Sequence, residues 1–300
     1  MNANDAVVYF VHYIGPPLIL ALGLIGNTLG ICNLSQKELK NIGPRKMYTF
    51  LLYTDLFYLL SIVVIYLQFA FDINLGNVST ITCKLWNYLY YTFATISSWL
   101  IVYISVDRCG CILRPAWRFM LRKRKTQLYW FIGVNVVCII YYIPVGIYFK
   151  DIPTIIDDNN NKTHIKFECG FEDTFSLQLI SYTDLVIRVL IPFFLMIFSS
   201  LTLMYALFNA RLRIVANFLA EENQTFSKEF RLSLTSICLN LIYIVTQLPV
   251  SITVFGSQFY SNFYYEWSAY LFYMSYAMNF YIILATNSLF RSGFVKLFSK

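Results

Sequence analysis

Few ionisable or amide side chains interrupt the apolar stretches of this chain, and any chemistry it performs must draw on them. Asp107-Arg108 closes a stretch that begins at Cys83, Asp55 falls mid-way along another, and Asp184 and Arg188 stand four residues apart in a third. In a helix that spacing puts both on one face, one turn apart. Asp184 and Arg188 then either neutralise each other or leave Arg188 facing an acceptor on a ligand, with Asp184 orienting it. A carboxylate buried at Asp55 costs about 2.5 to 3.5 kcal/mol on insertion scales, so it needs polar partners. Asn27, Ser97, Ser275 and Asn279 are the candidates. A charged pair such as Asp107-Arg108 is costly to bury and cheap to expose, which suits a contact closed at rest and opened in an active state.

Apolar elements must hold these side chains, and the composition supplies them. Hydrophobic residues fill 58% of 300 positions and charged ones 13%, with mean hydropathy +0.58, far from the half-apolar, quarter-charged mix of a soluble domain. The chain reads as an integral membrane protein. Seven windows are long enough as helices to cross a hydrocarbon core of about 30 Å: Ala6 to Leu34, Met47 to Phe71, Cys83 to Val106, Gln127 to Phe149, Phe175 to Asn209, Leu232 to Phe255, and Trp267 to Thr286. They are too long and too continuously apolar for barrel strands, so an all-α bundle is expected, with polar function facing its interior. Pro16 and Pro17 would kink the first helix or end its regular part. Met1 to Asp5 carries no basic run and the first window is too long for a removable signal, so a retained first helix is expected. Residues 1–300 read as one unit without repeat or linker.

The loops set orientation. Basic residues cluster at Lys37 to Lys46, Arg114 to Lys125, Arg211 to Arg231 and Arg291 to Lys300; with Arg108 they hold about eighteen of the 23 Lys and Arg, which marks that side as cytoplasmic. The opposite loops, with Asp151, Asp157, Asp158, Glu168, Glu172 and Asp173, form a mildly acidic outer face, and the N-terminus is outside. Of seven cysteines, Cys83 and Cys169 reach that oxidising side. A bridge would tie the third helix to the loop before the fifth; the alternative is two exposed thiols. Among the sequons, Asn77 and Asn161 lie where glycosylation happens.

From Cys83 to Arg108 a helix rises roughly 38 Å, enough to span the bilayer. This stretch resembles the third helix of rhodopsin-like (class A) G protein-coupled receptors, whose Asp/Glu-Arg-Tyr signature looks like Asp107-Arg108-Cys109. Gly26-Asn27, Leu51 through Asp55, Trp130, Pro192 and Pro249 stand in order where that family carries marker residues. The resemblance covers essentially the whole chain. Asn279-Phe280-Tyr281-Ile282-Ile283 is similar to the family's Asn-Pro-x-x-Tyr motif but departs at Pro and Tyr, and the pattern is closest to invertebrate FMRFamide-type neuropeptide receptors. In the sixth helix Thr246-Gln247-Leu248-Pro249 replaces Cys-Trp-x-Pro, so the aromatic toggle is absent. Pro249 still provides a kink about which the inner half would swing, and Tyr243 occupies the aromatic position just below. Residues 288–298 alternate Leu289, Phe290, Phe294, Leu297 and Phe298 with Arg291 and Lys296, as in the family's short eighth helix; the alternative is a frayed end.

The resemblance implies the Cys83–Cys169 bridge and an inner latch between Arg108 and Glu229, against which Glu229 would be a solvated charge. It also implies a sodium ion shared by Asp55, Ser97 and Asn279, the alternative being a dry, protonated carboxyl. Asp107, Arg108, Glu229, Tyr243, Pro249 and Asn279 would form the activation switch that uncovers Arg108 for a heterotrimeric G protein. The expected location is the plasma membrane, in contact with lipid, with no nucleic-acid partner and no further cofactor.

Several chemistries are disfavoured. Tyr273 stands where opsins carry the Schiff-base lysine, and Tyr90 where amine receptors carry an acid. His12 and His164 are the only histidines and form no cluster with acids, so catalysis is not expected. Acidic outer loops favour a cationic ligand such as a basic peptide, held by Trp86, Tyr90, Asp184, Arg188, Gln247, Tyr270 and Tyr273. The aromatics alone would equally make an interfacial belt. A chemosensory receptor for small molecules is the alternative within the fold. A transporter or channel is the alternative outside it, though neither internal symmetry nor a ring of pore charges is seen. Arg122 to Lys125 would fix topology or touch anionic lipid.

Overall fold

The computed structural model describes residues 9–37, 39, 44–71, 79–113, 124–158, 162–171, 173–217, 220–255 and 262–299. Both predicted glycosylation sites, Asn77 and Asn161, lie outside them, as do residues 40–43. Helix α1 (Gly15–Ser35) takes Pro16 and Pro17 in its first turn, where a missing N–H costs nothing, so the prolines open the regular helix. A wider turn, Phe10–Ile14, precedes it and is closed by the Gly15 N–H on the Phe10 carbonyl. Then come α2 (Arg45–Phe71), α3 (Thr80–Leu113) and α4 (Arg124–Tyr141). The fourth predicted span, Gln127 to Phe149, is not continuous: it breaks at Tyr142 and resumes as one short helix, Ile143–Tyr148, with Pro144 in its first turn.

A two-stranded hairpin follows, β1 (Phe149–Asp158) and β2 (Lys162–Phe171), antiparallel with Asp151 opposite Cys169. The sequence reading placed only a loop there. Helix α5 starts at Thr174, where Asp173 accepts from the Phe175 and Ser176 backbone N–H groups at 3.2 and 2.9 Å. It runs Thr174–Asp184, widens over Leu185–Leu190, and continues as Ile191–Asn217. Helices α6 (Ala220–Phe255), α7 (Asn262–Thr286) and α8 (Ser288–Phe298) complete the chain. Asn287 caps α8 through the Leu289 and Phe290 N–H groups at 3.1 and 3.2 Å, so residues 288–298 form a capped helix and not a frayed end.

The helices form a seven-membered bundle. Helix α1 lies against α2 and α7, α3 touches α2, α4, α5 and α6, and α6 and α7 pair closely. Gly23 and Gly30 permit the first contacts: a Cβ at Gly23 would stand 2.3 Å from Leu59, and one at Gly30 2.6 Å from Leu52 and 2.9 Å from Phe280. Among the described residues, six helices are apolar and long enough to cross a membrane. Helix α7 is long enough but less apolar, because it carries tyrosines, serines and an asparagine; of these Ser268, Ser275, Tyr276 and Asn279 are buried. Large apolar side chains on the outer faces, such as Val137, Ile140, Phe194 and Phe198, are exposed, as a lipid-facing surface requires.

Candidate functional site

At the basic end of the bundle Arg108 is fully buried on α3. Its Nε donates to Asp107 Oδ2 at 3.0 Å, its Nη2 also engages that oxygen, and its Nη1 reaches Glu229 Oε2 on α6 at 3.2 Å. Buried charges are tolerated only when paired in this way. Glu229 is buried too, so it is a partner of the arginine and not a solvated charge. Two more bonds tie α6 to its neighbours here: Thr286 on α7 donates to Thr235 Oγ1 at 2.8 Å, and Arg231 Nη1 reaches Ser288 Oγ on α8. The hydroxyl of Tyr48, fully buried and within electrostatic reach of Arg108 and Asp107, has no hydrogen-bond partner among the described residues. Sequence reasoning missed it, since nothing local sets Tyr48 apart from the chain's many tyrosines.

Half-way up, Asp55 is enclosed. Ser97 Oγ donates to one carboxylate oxygen at 2.6 Å and Asn279 Nδ2 to the other at 2.8 Å. Two other candidate partners serve elsewhere: Asn27 Nδ2 bonds the Tyr276 carbonyl at 3.1 Å, and Ser275 Oγ accepts from Gln247 Nε2 at 3.1 Å. Above this level Pro192 removes a backbone donor from α5, and neighbouring helices take the carbonyls. Trp99 Nε1 on α3 bonds the Ile187 carbonyl at 3.2 Å, and Tyr243 on α6 bonds that of Arg188 at 2.5 Å.

Toward the hairpin a cavity of about 160 Å³ is lined by Tyr90 and Tyr91 on α3, Asp184 and Arg188 on α5, Ser251 on α6, and Phe272 and Tyr273 on α7, among others. Arg188 Nε lies 3.1 and 3.0 Å from the two oxygens of Asp184, and Nη2 lies 2.7 Å from Oδ2. Its guanidinium carbon sits 4.9 Å from the centre of the Phe272 ring, a cation–π contact. Asp184 also accepts from Tyr142 at 2.6 Å, and that hydroxyl is 2.5 Å from Thr95 Oγ1. Tyr142 and Thr95 were not anticipated; the one available signal was Pro144, which marks the break that turns Tyr142 inward. Above, the Cys83–Cys169 disulfide fastens the base of the hairpin to α3.

Of the predicted pocket residues, Tyr90, Asp184, Arg188 and Tyr273 converge on this cavity, whereas Trp86, Gln247 and Tyr270 do not line it. Gln247 is buried beneath, bonded to Ser275, and Tyr270 packs on Phe10 and Trp267 with ring centres 5.6 and 5.9 Å apart. Trp86 is half-buried on α3. Pro249 lies inside α6, two turns above the Tyr243 level. Tyr281, one position past the missing proline, bonds the Leu22 carbonyl on α1 at 3.1 Å.

The family model described as 7 transmembrane receptor (rhodopsin family) matches residues 26–287. No curated protein matches the chain. That match runs from the middle of α1 to the α8 cap and includes Asp55, Asp107-Arg108 and Asn279, whose contacts tie α2, α3, α6 and α7 together. The chain therefore belongs to the rhodopsin family of seven-transmembrane receptors, a multi-pass protein of the plasma membrane that acts as a receptor and not as an enzyme.

Proposed function

We propose that this receptor binds an extracellular ligand, a peptide, in the cavity around Arg188, and that binding favours a state in which the inner half of α6 swings out and offers Arg108 to a heterotrimeric G protein. The observation that carries the reading is the Arg108–Glu229 contact at 3.2 Å, which joins α3 to the element that must move. Ligand binding is the energy source: moving a 1:99 equilibrium to 99:1 takes about 5.5 kcal/mol of differential affinity, within reach of a modest peptide. In this reading a sodium ion would share Asp55 with Ser97 and Asn279 and favour the resting state. The buried Asp55 carboxylate and the Ser97 hydroxyl oxygen would hold it, with the Asn279 amide, which here donates Nδ2 to Asp55, turned to present its oxygen. A small-molecule ligand is the second reading, favoured by a cavity of about 160 Å³, which holds a side-chain-sized group.

The test is nucleotide exchange on a panel of Gα proteins by receptor in nanodiscs, screened against a peptide library and a small-molecule library. Peptide-driven exchange supports the first reading and exchange restricted to small molecules the second. Silence with every Gα would refute the coupling mechanism.

A further inference from the structure

We infer that the group a ligand presents to Arg188 is an uncharged hydrogen-bond acceptor, a carboxamide or carbonyl oxygen, and neither a carboxylate nor an ammonium. The inference rests on the cavity being the ligand site proposed above. Among the described residues that line the cavity, Asp184 and Arg188 are the only acid and base, and they are locked together by Nε and Nη2. Side-chain exposures of 11% for Arg188 and 5% for Asp184 leave little water to screen other charges brought beside them. The floor of the cavity is therefore electrically balanced before anything binds.

A ligand ammonium would need a carboxylate oxygen. Oδ1 already takes the Tyr142 hydroxyl at 2.6 Å and Arg188 Nε at 3.1 Å, and Oδ2 takes Nε and Nη2. A ligand carboxylate would add a negative charge with no spare cation, in a space walled by aromatic rings, and burying a charge without a counter-charge is costlier than one hydrogen bond repays. What remains is Arg188 Nη1, buried and, among the described residues, without a hydrogen-bond partner. A neutral oxygen answers that donor and leaves the charge balance unchanged, while Tyr90, Phe272 and Tyr273 cover the flanks of a planar group.

Benzamide, benzoate and benzylammonium share a ring and differ in charge, so they test this directly. Their binding to the full-length receptor in nanodiscs would be read by saturation-transfer NMR. Benzamide is expected to bind about tenfold tighter than either ion. Asp184→Asn keeps the side chain's shape but removes the compensating charge, and the preference should pass to benzoate by a similar factor. Arg188→Met, a second variant in case Asp184→Asn does not fold, should erase the benzamide preference. The inference is overturned if an ion ranks first in the parent, if the three bind alike, if none binds, or if folded Asp184→Asn still prefers benzamide. G protein exchange is not part of the readout, so failure here and failure of the coupling mechanism remain distinguishable.

Discussion

The hydroxyl of Tyr243 donates to the backbone carbonyl of Arg188 across 2.5 Å, linking α6 to the residue at the heart of the cavity. The carbonyl needs an outside donor because Pro192, four residues on, has no N–H to give it. The same hydroxyl lies 3.1 Å from Ser98 Oγ on α3. A chain lacking tryptophan at the Gln247 position thus retains a direct mechanical path from cavity to α6, through a phenol and a proline-freed carbonyl.

Tyr243→Phe should remove that path while keeping the ring's packing. An orphaned buried carbonyl costs about 1–3 kcal/mol. The expected outcome is a melting temperature in nanodiscs lowered by a few degrees, together with weaker coupling between ligand binding and G protein exchange. Unchanged melting and unchanged coupling would show that the bond contributes nothing.

Glu229→Ala removes the α6 acceptor of Arg108 and leaves Asp107 in place. Loss of about 1 kcal/mol from the closed state raises the open population roughly fivefold, so ligand-free nucleotide exchange should rise by a similar factor. Glu229→Gln, which keeps a hydrogen bond without the charge, should fall between the two. A baseline identical in all three would remove Glu229 from the latch.

Gly30→Ala should destabilise the bundle, because the new methyl would stand 2.6 Å from Leu52 and 2.9 Å from Phe280. Overpacking of this kind costs about 1–3 kcal/mol. Gly133→Ala is the control: its Cβ meets nothing within 4 Å, and its melting temperature should match the parent's.

Asp173 supplies a pH dependence at the mouth of the bundle. The Ser176 hydroxyl, then the backbone N–H groups of Ser176 and Phe175, hold its carboxyl below the ordinary aspartate value of about 3.9. A folded value below the unfolded one means that the cap's contribution is complete above the unfolded value and is lost as pH falls through the depressed one. Hydrogen exchange at the Phe175 and Ser176 amides should therefore accelerate, relative to interior α5 amides, as pH drops through that range. Asp173→Asn should flatten the response.

The inner site was readable because its logic is local or one-dimensional. Asp107 and Arg108 are adjacent, their position at the end of an apolar window is a property of the window, and Asp55, Ser97 and Asn279 stand out as polar residues in apolar runs. The spacing of Asp184 and Arg188 likewise foretold their pairing but could not say what else Asp184 binds. Tyr142 reaches it from 42 positions away, through a helix break that a window count passes over as continuous. The hairpin escaped because residues 149–171 mix charged and apolar residues without a clean alternation. Pocket membership was legible only by depth: Trp86 and Tyr270 lie near enough along their helices, but their rotation about the helix axis is decided by packing.

The run of bonds from Thr95 through Tyr142 to Asp184 and Arg188 fastens α3, the broken end of α4, and α5 to one another at the level of the cavity. Those three helices form a stator. In the activation proposed above α6 would move against that frame, to which Tyr243 and Asn240, bonded to Ser105 and Ser200, attach it. In that proposal a push at the cavity would pass to α6 through those few bonds and leave the frame in place.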